Sequence, residues 1–526
     1  MKTRKILAVI LASVLAISML AGCGGNNGGN ANVELNKEVL NLEGYLASAE
    51  PMELTIHYHT NGGLWMWQND GPITKKAAEM TNINVRNTAS KAQADSAQAY
   101  NLMLVEDTLP DIIAYSKTDL DKAGIDGALI PLEDYLEEYA PNIHKVFQEH
   151  PEYMNESKAS DGHLYYIPNI VPEGPGELWI VRQDWLDKLG LQAPTNVEEF
   201  YNVLKAFRDG DPNGNGIKDE IPYLEKTKRI NELLPLFGVS YKNWEIDENG
   251  KIYNPRFTEE FRYAISEIAK WYKEGLIDPE IYTRSNCREE LFGNNLGGIT
   301  FEWPASTLAF NETAKDTNPG INLQYILPPA DINGVVQSFS ANNPVSSTGW
   351  GISKDNKHVA ETLKFFDFFY TEAGINLMAY GIEGEHHIVN ADGSIEYTDT
   401  VKNFPSGVPD YMASVIGGYL TNAGTIRPEA ANMASMAPIA REGYLFYKEN
   451  VKLVPPWPTL ALTNEENQIL VAKDIETHIN ETVQNWVMGN TELNDETWNA
   501  YLKRLKDLGA EDVQKVYQAA YDRQFK

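Results

Sequence analysis

Short apolar segments alternate with helical segments in the first part of the chain, and this alternation restricts the folds that the chain can adopt. Residues 53–58, 83–85 and 109–115 predict strands, because they are short, apolar and bounded by turn-forming residues. Residues 72–80 and 100–105 predict helices between these strands. Strands that alternate with helices form βαβ units, so the sequence predicts an α/β fold with a mainly parallel sheet.

The second half of the chain contains longer helices with clear start signals. Residues 195–198 form a predicted capping box, and Thr258 is predicted to cap a helix that stops at Gly275. A further cap at Thr463 predicts one long helix that ends near Gly489. A chain of 526 residues is long enough for two or three lobes with cores of their own.

The N-terminal segment predicts secretion and lipid attachment. Lys2, Arg4 and Lys5 precede an apolar run at residues 6–20, which is short for a transmembrane helix and typical of a signal peptide. The run leads into the sequence LAGC (20–23), which resembles the lipobox of bacterial lipoproteins. In that motif small residues flank the cleaved bond, and the cysteine thiol receives the lipid.

The lipobox resemblance implies that residues 1–22 are a lipoprotein signal peptide and that Cys23 becomes the acylated N-terminus, with palmitate as a typical acyl group. The alternative is an ordinary secretory signal followed by a chance cysteine. Residues 24–30 contain only Gly and Asn, which cannot bury a core, so residues 23–48 are predicted to be a flexible tether. The expected location is the extracellular face of the cytoplasmic membrane, as in Gram-positive bacteria.

Acidic residues strongly outnumber basic ones, at 74 Asp plus Glu against 44 Lys plus Arg. The net charge of -30 would become -33 on loss of the three cations in the signal peptide. A surface this acidic repels phosphate backbones and anionic lipid, which excludes nucleic-acid binding and disfavours any membrane contact other than the lipid anchor. Two cysteines cannot form a disulfide scaffold.

The sequence DPNGNGIKDE (211–220) predicts a calcium site. Asp211, Asn213 and Asn215 supply oxygen ligands at positions one, three and five, and a glycine at position six permits the sharp turn of an EF-hand-like loop. The Ile217 carbonyl can supply position seven. Pro222 replaces the usual bidentate Glu at position twelve, so other carboxylates have to compensate. The alternative is a turn without metal between two elements.

Several aromatic residues lie at predicted strand ends or in loops, where a flat ring can stack on a sugar while polar groups bind its hydroxyls. These residues are Trp65, Tyr115, Trp303, Trp350 and Trp457. The alternative for any one of them is packing in the core. Glycine or proline neighbours favour a binding role for Trp303 and Trp350 in particular.

Motifs of several common enzyme classes are absent from the sequence. It contains no HExxH zinc motif, no GxSxG nucleophile elbow and no GxxxxGK[ST] phosphate loop. A glycosidase needs only two carboxylates, and no pair stands out among the 74 acidic residues, so inspection alone leaves that class open.

Taken together, these residues resemble those of family 1 extracellular solute-binding lipoproteins of ABC importers. The likeness covers nearly the whole mature chain and is greatest for the calcium-loop subgroup, which is similar to alginate-oligosaccharide-binding proteins. The matching stretches are NLMLVEDTLPDII (101–113), DGHLYYIPN (161–169), the long block 178–222, GGITFEW (297–303), GWGISKD (349–355), YGIEGEHH (380–387) and AYDRQ (520–524).

The resemblance implies a two-lobed α/β clamp, a periplasmic-binding-protein-like fold of type II and cluster D-like, with a ligand in the hinge cleft. The N-lobe is expected to comprise residues 49–168 plus 346–386, and the C-lobe residues 172–342 plus 390–526. Three segments are expected to cross between the lobes, near residues 168–176, 340–347 and 383–390.

The resemblance also implies roles for individual residues. Trp303 falls where a ring stacks on sugar in the similar maltose-binding protein, Tyr115 matches an aromatic that follows its Pro-Asp-Ile-Ile strand, and Trp457 lies near a late stacking Trp. The implied calcium ligands are Asp211, Asn213, Asn215, the Ile217 carbonyl, Asp219 and Glu220. The ion is expected to be structural.

The predicted function is a non-enzymatic one, the delivery of a sugar or oligosaccharide to the transmembrane subunits of an ABC permease by a monomeric protein. The negative charge favours a neutral ligand, although Arg182 is a possible local donor to an anionic one; its alternative role is an ion pair at the surface. Two other functions stay open. These are an extracellular glycoside hydrolase or lyase, and a sugar sensor for a membrane kinase.

Overall fold

Short apolar runs form the strands of this protein, and amphipathic segments form its helices. The computed structural model describes residues 35–60, 65–106, 108–226, 229–285, 288–405, 407–418 and 424–526. All the elements below lie in one unit, Lys37–Lys526.

The strands are β1 (Met52–Tyr58), β2 (Ile83–Asn87), β3 (Ile112–Ser116), β4 (Ile167–Ile170), β5 (Leu178–Arg182), β6 (Ile221–Tyr223), β7 (Glu245–Ile246), β8 (Ile252–Tyr253), β9 (Gly297–Glu302), β10 (Leu323–Ile326), β11 (Gln337–Phe339), β12 (Val345–Ile352), β13 (His387–Val389), β14 (Ile395–Tyr397) and β15 (Lys452–Val454).

The α-helices are α1 (Pro72–Thr81), α2 (Ser96–Leu104), α3 (Lys117–Ile125), α4 (Leu136–Tyr139), α5 (Pro141–Glu149), α6 (Pro151–Ser157), α7 (Gln183–Leu189), α8 (Val197–Asp209), α9 (Glu259–Lys273), α10 (Arg288–Gly293), α11 (Pro304–Ala314), α12 (Val359–Phe368), α13 (Glu372–Tyr380), α14 (Asp399–Lys402), α15 (Val408–Asp410), α16 (Glu429–Ala434), α17 (Pro438–Asn450), α18 (Asn464–Val471), α19 (Ile475–Val487), α20 (Asp495–Asp507) and α21 (Ala510–Phe525). Single turns of 3-10 helix occur at Lys37–Asn41, Glu133–Tyr135 and Pro255–Phe257, a longer 3-10 segment at Ile230–Phe237, and a π-helical turn at Tyr411–Ile416. Within the described residues, no helix has the length and hydrophobicity that a bilayer span requires.

Five strands form the first sheet, in the order β2-β1-β3-β12-β4. β1 is parallel to both β2 and β3, as the βαβ pattern predicts. β12 is antiparallel to β3 and to β4, because it enters the sheet from a distant part of the chain and in the opposite direction. The first sheet is therefore mixed, and the prediction of a mainly parallel sheet holds only for its first three strands.

Four strands form the second sheet, in the order β10-β5-β9-β6. Only β6 and β9 are parallel, while β5 is antiparallel to both β9 and β10, so the prediction of a mainly parallel sheet is wrong here. Every residue of β5 and β9 is buried. Apolar side chains cover both faces of this sheet, which is why its strands are continuously apolar and do not alternate with polar residues.

The largest core lies on one face of the second sheet. Helix α9 buries Phe261, Ile265, Ile268 and Trp271, which share one face, in this core. The C-terminal helices α19, α20 and α21 complete it, and the rings of Trp486 and Trp498 meet there with centroids 6.0 Å apart. The C-terminal helices thus pack with the second sheet. The elements around the first sheet form the first half of the molecule, and the elements around the second sheet, including these helices, form the second half.

The helix caps agree with the sequence in part. The Thr258 side chain caps α9 and Thr463 caps α18, as predicted, and Thr463 forms a capping box with Glu466. The cap of α8 is Asn196, one residue after the predicted Thr195, because the Asn196 side chain accepts the N–H of Glu199. The long helix predicted from Thr463 is in fact two helices, α18 and α19, separated at residues 472–474.

Extended segments run side by side between the two sheets. Residues 171–177 lead from β4 directly into β5, and residues 340–344 lead into β12. The N–H of Ala341 donates to the Gly174 carbonyl at 2.9 Å, which joins these two segments. The lobe boundaries drawn from the sequence stay predictions.

Residues 387–418 pack beside the first sheet. The Tyr397 hydroxyl donates to the Ala379 carbonyl at 2.7 Å, and the Gln68 side chain donates to the Ala413 carbonyl at 3.1 Å. The chain after the predicted crossing near residues 383–390 thus still contacts elements around the first sheet, and the position of that crossing stays a prediction.

Residues 424–438 lead from this region to the next long helix. The N–H of Arg427 donates to the Ile170 carbonyl at 2.8 Å, beside the first crossing segment. The next long helix, α17, packs against α11 of the second half. Residues 427–438 thus connect a contact with β4 to a helix that packs on α11.

Candidate functional site

The carboxyl ends of the strands define where a ligand is expected to bind in an open α/β sheet. Trp65 follows the carboxyl end of β1, Tyr115 lies near the end of β3, and Trp303 directly follows β9. The first two belong to the first sheet and the third to the second sheet. Three of the predicted stacking residues thus lie at such edges.

The two aromatics of the first half are partly buried. The Trp65 indole N–H donates to Asp410 Oδ1 at 3.2 Å, which ties this loop to α15. The Tyr115 ring stacks on Tyr100 with centroids 4.4 Å apart and planes 11° apart. Burial raises the pKa of the Tyr115 hydroxyl, with the Asp119 carboxylate adding to the shift, so the group stays a neutral hydrogen-bond donor.

Trp303 is the most open of the predicted aromatic residues, with 48% of its surface exposed. Its backbone N–H donates to Glu302 Oε1 at 2.9 Å, and Pro304 occupies the first turn of α11 after it. Since proline fixes the start of the helix, the ring stands at a rigid corner between β9 and α11. This arrangement presents a flat apolar face to solvent.

A network of paired charges lies beside Trp303, at the carboxyl ends of β6 and β9. Glu302 pairs with Lys226, at 3.2 Å between Nζ and Oε1, and with Arg288. The Arg229 guanidinium donates to Glu177 Oε1 and to Glu232 Oε1, each at 2.7 Å. The side chains of Arg229, Glu177 and Glu232 are 23%, 16% and 12% exposed, so the network remains open to solvent at its edge.

Glu225 anchors this network from inside. It is 2% exposed, and its Oε1 accepts the N–H of Phe301 at 2.8 Å and the Thr300 hydroxyl at 3.1 Å. Burial raises the pKa of Glu225 to about 7, against the opposing effect of the Arg229 charge. The carboxyl group thereby fixes the end of β9, which leads directly into Trp303.

An aromatic pocket lies between this network and β11. It is lined by Trp179, Tyr241, Phe301, Pro328, Pro329 and Phe339, among others. The Tyr241 and Phe339 rings meet at a centroid distance of 4.3 Å. Paired charges beside aromatic faces are the combination that binds the hydroxyls and the C–H face of a sugar.

Two predicted ligand residues do not lie in any such position. Arg182 is 1% exposed, and its guanidinium donates to Asp184, Asn295 and the Gly297 carbonyl. Since these donors are engaged inside the fold, Arg182 is neither a ligand donor nor the surface ion pair that was its alternative.

Trp350 is also a core residue. It is 0% exposed, and its ring stacks on Phe366 with centroids 3.8 Å apart and planes 17° apart. The prediction of a stacking role in the cleft is therefore wrong, because the central position of β12 in the first sheet takes the ring into the interior. The flanking glycines reflect close backbone packing in the sheet.

Trp457 lies on the second half, where it is partly buried. Its ring meets the Tyr517 ring of α21 at a centroid distance of 5.9 Å with planes 72° apart. It packs against the large core of the second half. Its contacts are those of a packing residue whose outer face is still open.

The loop at residues 211–220 is wound by its own side chains. Asp211 Oδ1 accepts the N–H groups of Gly214 and Asn215, at 3.0 and 3.1 Å. The side-chain amides of Asn213 and Asn215 both donate to Asp219 Oδ1, at 2.8 and 3.1 Å. The predicted oxygen donors Asp211, Asn213, Asn215 and Asp219 therefore lie together in one turn.

Glu220 is the exception in this loop. It is 8% exposed, and neither carboxylate oxygen has a hydrogen-bond partner. Burial raises the pKa of Glu220, the nearby backbone N–H groups of Glu220 and Asn213 offset part of this shift, and the Asp219 and Asp211 charges add to it. Two unpartnered carboxylate oxygens beside other oxygen donors fit a divalent cation.

The carboxylates of this loop do not converge fully. Within the described ranges, no three His, Cys, Asp or Glu side chains form a ready cluster for a metal ion. A calcium site here would need amide and backbone oxygens, such as the Ile217 carbonyl, in addition to carboxylates. Cys23, the predicted lipidation site, lies outside the described residues.

Residues 70–375, more than half of the chain, match the bacterial extracellular solute-binding protein family. The chain belongs to this family. Its relatives include the fructooligosaccharide ABC transporter substrate-binding protein FusA of Streptococcus pneumoniae serotype 4, which is 27% identical over 558 residues, 98% of this chain and 97% of the relative. The polygalacturonan/rhamnogalacturonan-binding protein YtcQ of Bacillus subtilis is 24% identical, and the match covers 80% of this chain and 82% of the relative.

Solved structures give the same result for the fold. The crystal structure of the alginate-binding protein AlgQ2 without calcium ion matches with a TM-score of 0.71 and 32% identity, over 91% of this chain and 100% of that chain. FusA in complex with kestose matches with a TM-score of 0.66 and 22% identity, over 90% and 99% of the two chains. The predicted two-lobed α/β fold and the predicted family are therefore confirmed. These relatives are named as binding proteins.

The charged network was missed by the sequence interpretation. Its members come from four separate segments, so no spacing rule connects them. One signal was available, because the sequence LEKTKRINEL (224–233) places a dense run of charges directly after the apolar strand β6. Charged residues that directly follow a buried strand lie at the edge of a sheet and not on a solvated helix face. This run therefore indicates a charged edge at the carboxyl end of β6.

Proposed function

We propose that this protein is a lipid-anchored extracellular solute-binding protein that delivers a sugar or oligosaccharide to the transmembrane subunits of an ABC permease. The observation that carries the proposal is the exposed Trp303 ring beside the charged network at the carboxyl ends of β6 and β9. The family and the named functions of FusA and YtcQ support the ligand class.

The ligand is proposed to be neutral. In the described part of the network, Lys226, Arg229 and Arg288 are each paired with carboxylates of the protein. A sugar carboxylate would have to compete with these carboxylates for its cation, whereas hydroxyl groups can bind to the paired charges as they stand. FusA is named for a neutral fructooligosaccharide, whereas YtcQ and AlgQ2 are named for acidic polymers.

A sugar panel tests this proposal directly. Purified protein is mixed with kestose, nystose, neutral gluco- and galacto-oligosaccharides, oligogalacturonate and alginate oligosaccharide, and the melting temperature and tryptophan fluorescence are measured. A shift with one or more neutral sugars and none with the acidic ones is expected. Absence of a shift with every sugar would contradict the ligand class, and binding of only the acidic sugars would contradict the neutral ligand.

The same samples separate binding from hydrolysis. A binding protein leaves the sugar intact, so reducing ends should not accumulate over hours at micromolar protein. Steady release of reducing ends in proportion to protein concentration would instead establish a glycoside hydrolase. A lyase would be detected by the ultraviolet absorbance of its unsaturated product.

Calcium is proposed as a structural ion of the loop at residues 211–220. Asp211, Asn213, Asn215, the Ile217 carbonyl, Asp219 and Glu220 would hold it. The ion would compensate the charges of the clustered carboxylates and cross-link the loop in front of β6. The fit rests on the unpartnered oxygens of Glu220, and a solved FusA variant described as an EF-hand mutant supports such a loop in a relative.

A titration tests the ion. Chelator-treated protein is expected to bind one calcium with a Kd of roughly 0.1–1 mM or tighter, the range of extracellular modules. Calorimetry that detects no heat with calcium would contradict this proposal. Magnesium is the control, because it demands a smaller shell than calcium does, with near-ideal octahedral geometry.

The lipid anchor is proposed at Cys23. The relative Lipoprotein LipO of Bacillus subtilis, 23% identical over 309 residues, supports this location. Labelled palmitate is expected to be incorporated into the wild-type protein and not into Cys23→Ala. Release of that variant into the medium is expected as well, whereas its retention at the membrane would contradict a sole lipid anchor. Size-exclusion chromatography with light scattering tests the expected monomer.

A further inference from the structure

The buried carboxylate of Glu156 joins the first half of the molecule to the second. It lies far along the chain from Trp303 and the ends of β6 and β9. Glu156 lies near the end of α6 and is 9% exposed. Its Oε1 accepts the N–H of Thr459 at 2.9 Å and the side-chain amide of Asn343. Asn343 lies in the crossing segment before β12, and Thr459 lies in the segment after β15. Glu156 thus contacts both segments from the side of the first half.

Gln524, in the last turn of α21, makes further contacts beside Glu156. The contacts of Glu156 and Gln524 together form the joint between the two halves. Its Nε2 donates to the carbonyls of Asn155 and Glu156, at 3.1 and 3.2 Å, and to the Thr459 carbonyl at 3.2 Å. Its Oε1 accepts the N–H of Ala461 at 2.8 Å. One side chain of the second half therefore binds both the end of α6 in the first half and the irregular segment at residues 459–461.

The neighbouring residue holds the second-half side of the joint in place. The Arg523 guanidinium donates to the Ala461 carbonyl at 2.7 Å and pairs with Glu466 Oε2 at 2.7 Å. Both contacts stay within the second half. Arg523 thereby fixes the segment at residues 459–466 on α21, and Gln524 is the residue that reaches across.

We propose that Gln524 and Glu156 are positioning residues that form a pivot for the movement of the two lobes. The proposal deepens the proposed function, because it assigns the C-terminal stretch AYDRQ (520–524) a role in presenting the ligand edges to each other. Helix α21 carries Gln524, and carbonyls at the end of α6 are its acceptors, so the joint fixes the distance and limits the relative rotation of two rigid elements. Loss of the joint leaves the sugar contacts intact and widens the range of lobe orientations.

The chain offers a matched control on the same helix. Gln518 also accepts a backbone N–H with its Oε1, that of Ile252 at 2.8 Å, and donates with its Nε2 to the Gly250 carbonyl at 2.9 Å. These contacts lie entirely within the second half. Gln518→Ala and Gln524→Ala therefore remove similar hydrogen bonds from one helix, and only the second removes a link between the halves.

The experiment measures the distance between the lobes without any ligand. Spin labels are attached to genetically encoded keto residues at Val105 in the first half and Val471 in the second, which are 79% and 88% exposed. Full-length protein in detergent is used, and the distance distribution is recorded by double electron–electron resonance. Gln524→Ala is expected to broaden the distribution, and Gln518→Ala is expected to leave it at the wild-type width, while both lower the melting temperature by a few degrees.

A distribution of wild-type width in Gln524→Ala, or equal broadening in both variants, would overturn the proposal. Gln524→Glu serves if the alanine variant fails to fold, because it keeps the acceptor for Ala461 and loses the donor to Asn155 and Glu156; Gln518→Glu is its control. The measurement contains no sugar. Failure of the sugar panel would therefore refute the proposed ligand and leave the pivot test unaffected.

Discussion

Replacement of Trp303 by alanine is predicted to weaken sugar binding and to leave the fold intact. The ring is 48% exposed at the corner between β9 and α11, so its truncation removes less buried surface than truncation of a core tryptophan such as Trp350 does. A tryptophan side chain has an area of up to about 250 Å², and roughly half of it is available here to a ligand. Covering about 120 Å² of apolar surface is worth about 2–3 kcal/mol at about 25 cal/mol per Å².

This energy corresponds to an increase in Kd of about 30- to 150-fold on truncation. The assay is isothermal titration with kestose, or with whichever neutral sugar gives the largest shift in the panel, together with urea unfolding of each variant. Trp303→Phe is expected to retain part of the affinity. Tyr263→Ala is the matched control, because Tyr263 is also 48% exposed but lies on α9, outside the edge formed by β6 and β9.

Equal affinity of Trp303→Ala and the wild type for a sugar that binds both would refute the stacking role. An equal loss of affinity in Tyr263→Ala would refute it too, since any exposed ring of the second half would then suffice. A large loss of stability in Trp303→Ala would show that the ring supports the corner as well as the ligand.

Further predictions concern the core, the charged network and the loop at residues 211–220. Arg182→Ala and Trp350→Ala are each expected to lose about 3–5 kcal/mol of unfolding free energy, by stranding buried polar partners and by opening a cavity respectively, as measured by urea denaturation. The raised pKa of Glu225 means that its contribution to stability is present below about pH 4.5 and is lost as the pH rises to about 7. The free energy of unfolding should therefore fall more steeply over that range in the wild type than in Glu225→Gln. Calcium should raise the melting temperature of the wild type, and Asp211→Ala or Glu220→Gln should abolish that rise; an unchanged response would exclude these ligands.

Local signals predicted much of the first sheet and the helices. β1 and its neighbours follow the expected alternation, and Thr258 caps α9 because its side chain can accept the N–H of Phe261. The direction of β12 was not predictable from local pattern, because β12 comes from more than two hundred residues after β3 and its pairing depends on the crossing segments. Local propensity carries no information on such long-range direction.

The candidate site shows the same division. The exposed position of Trp303 could be predicted because a glycine-rich strand and a proline bracket it and fix a rigid corner, while its role in stacking on a sugar stays a prediction. Trp350 has a similar flanking pattern but lies in the central part of a sheet, so its ring is buried. Arg229 and Glu177 were missed because their pairing joins residues 52 positions apart. Only the fold brings these two charges together.

The pairing within the charged network also decides which ligands the edge can accept. Arg229 already holds Glu177 and Glu232, and a sugar carboxylate could gain this cation only by displacing one of them. Displacing a paired carboxylate costs the free energy of that ion pair, and the protein's own net charge opposes the anion as well. A neutral sugar meets neither cost, because its hydroxyls can donate to the outer lone pairs of the same carboxylates. Glu177→Gln should therefore weaken the pairing of Arg229 with the protein's own carboxylates and allow oligogalacturonate to bind. One substitution would then change the ligand class. If this variant still binds no acidic sugar, the pairing is not the source of selectivity.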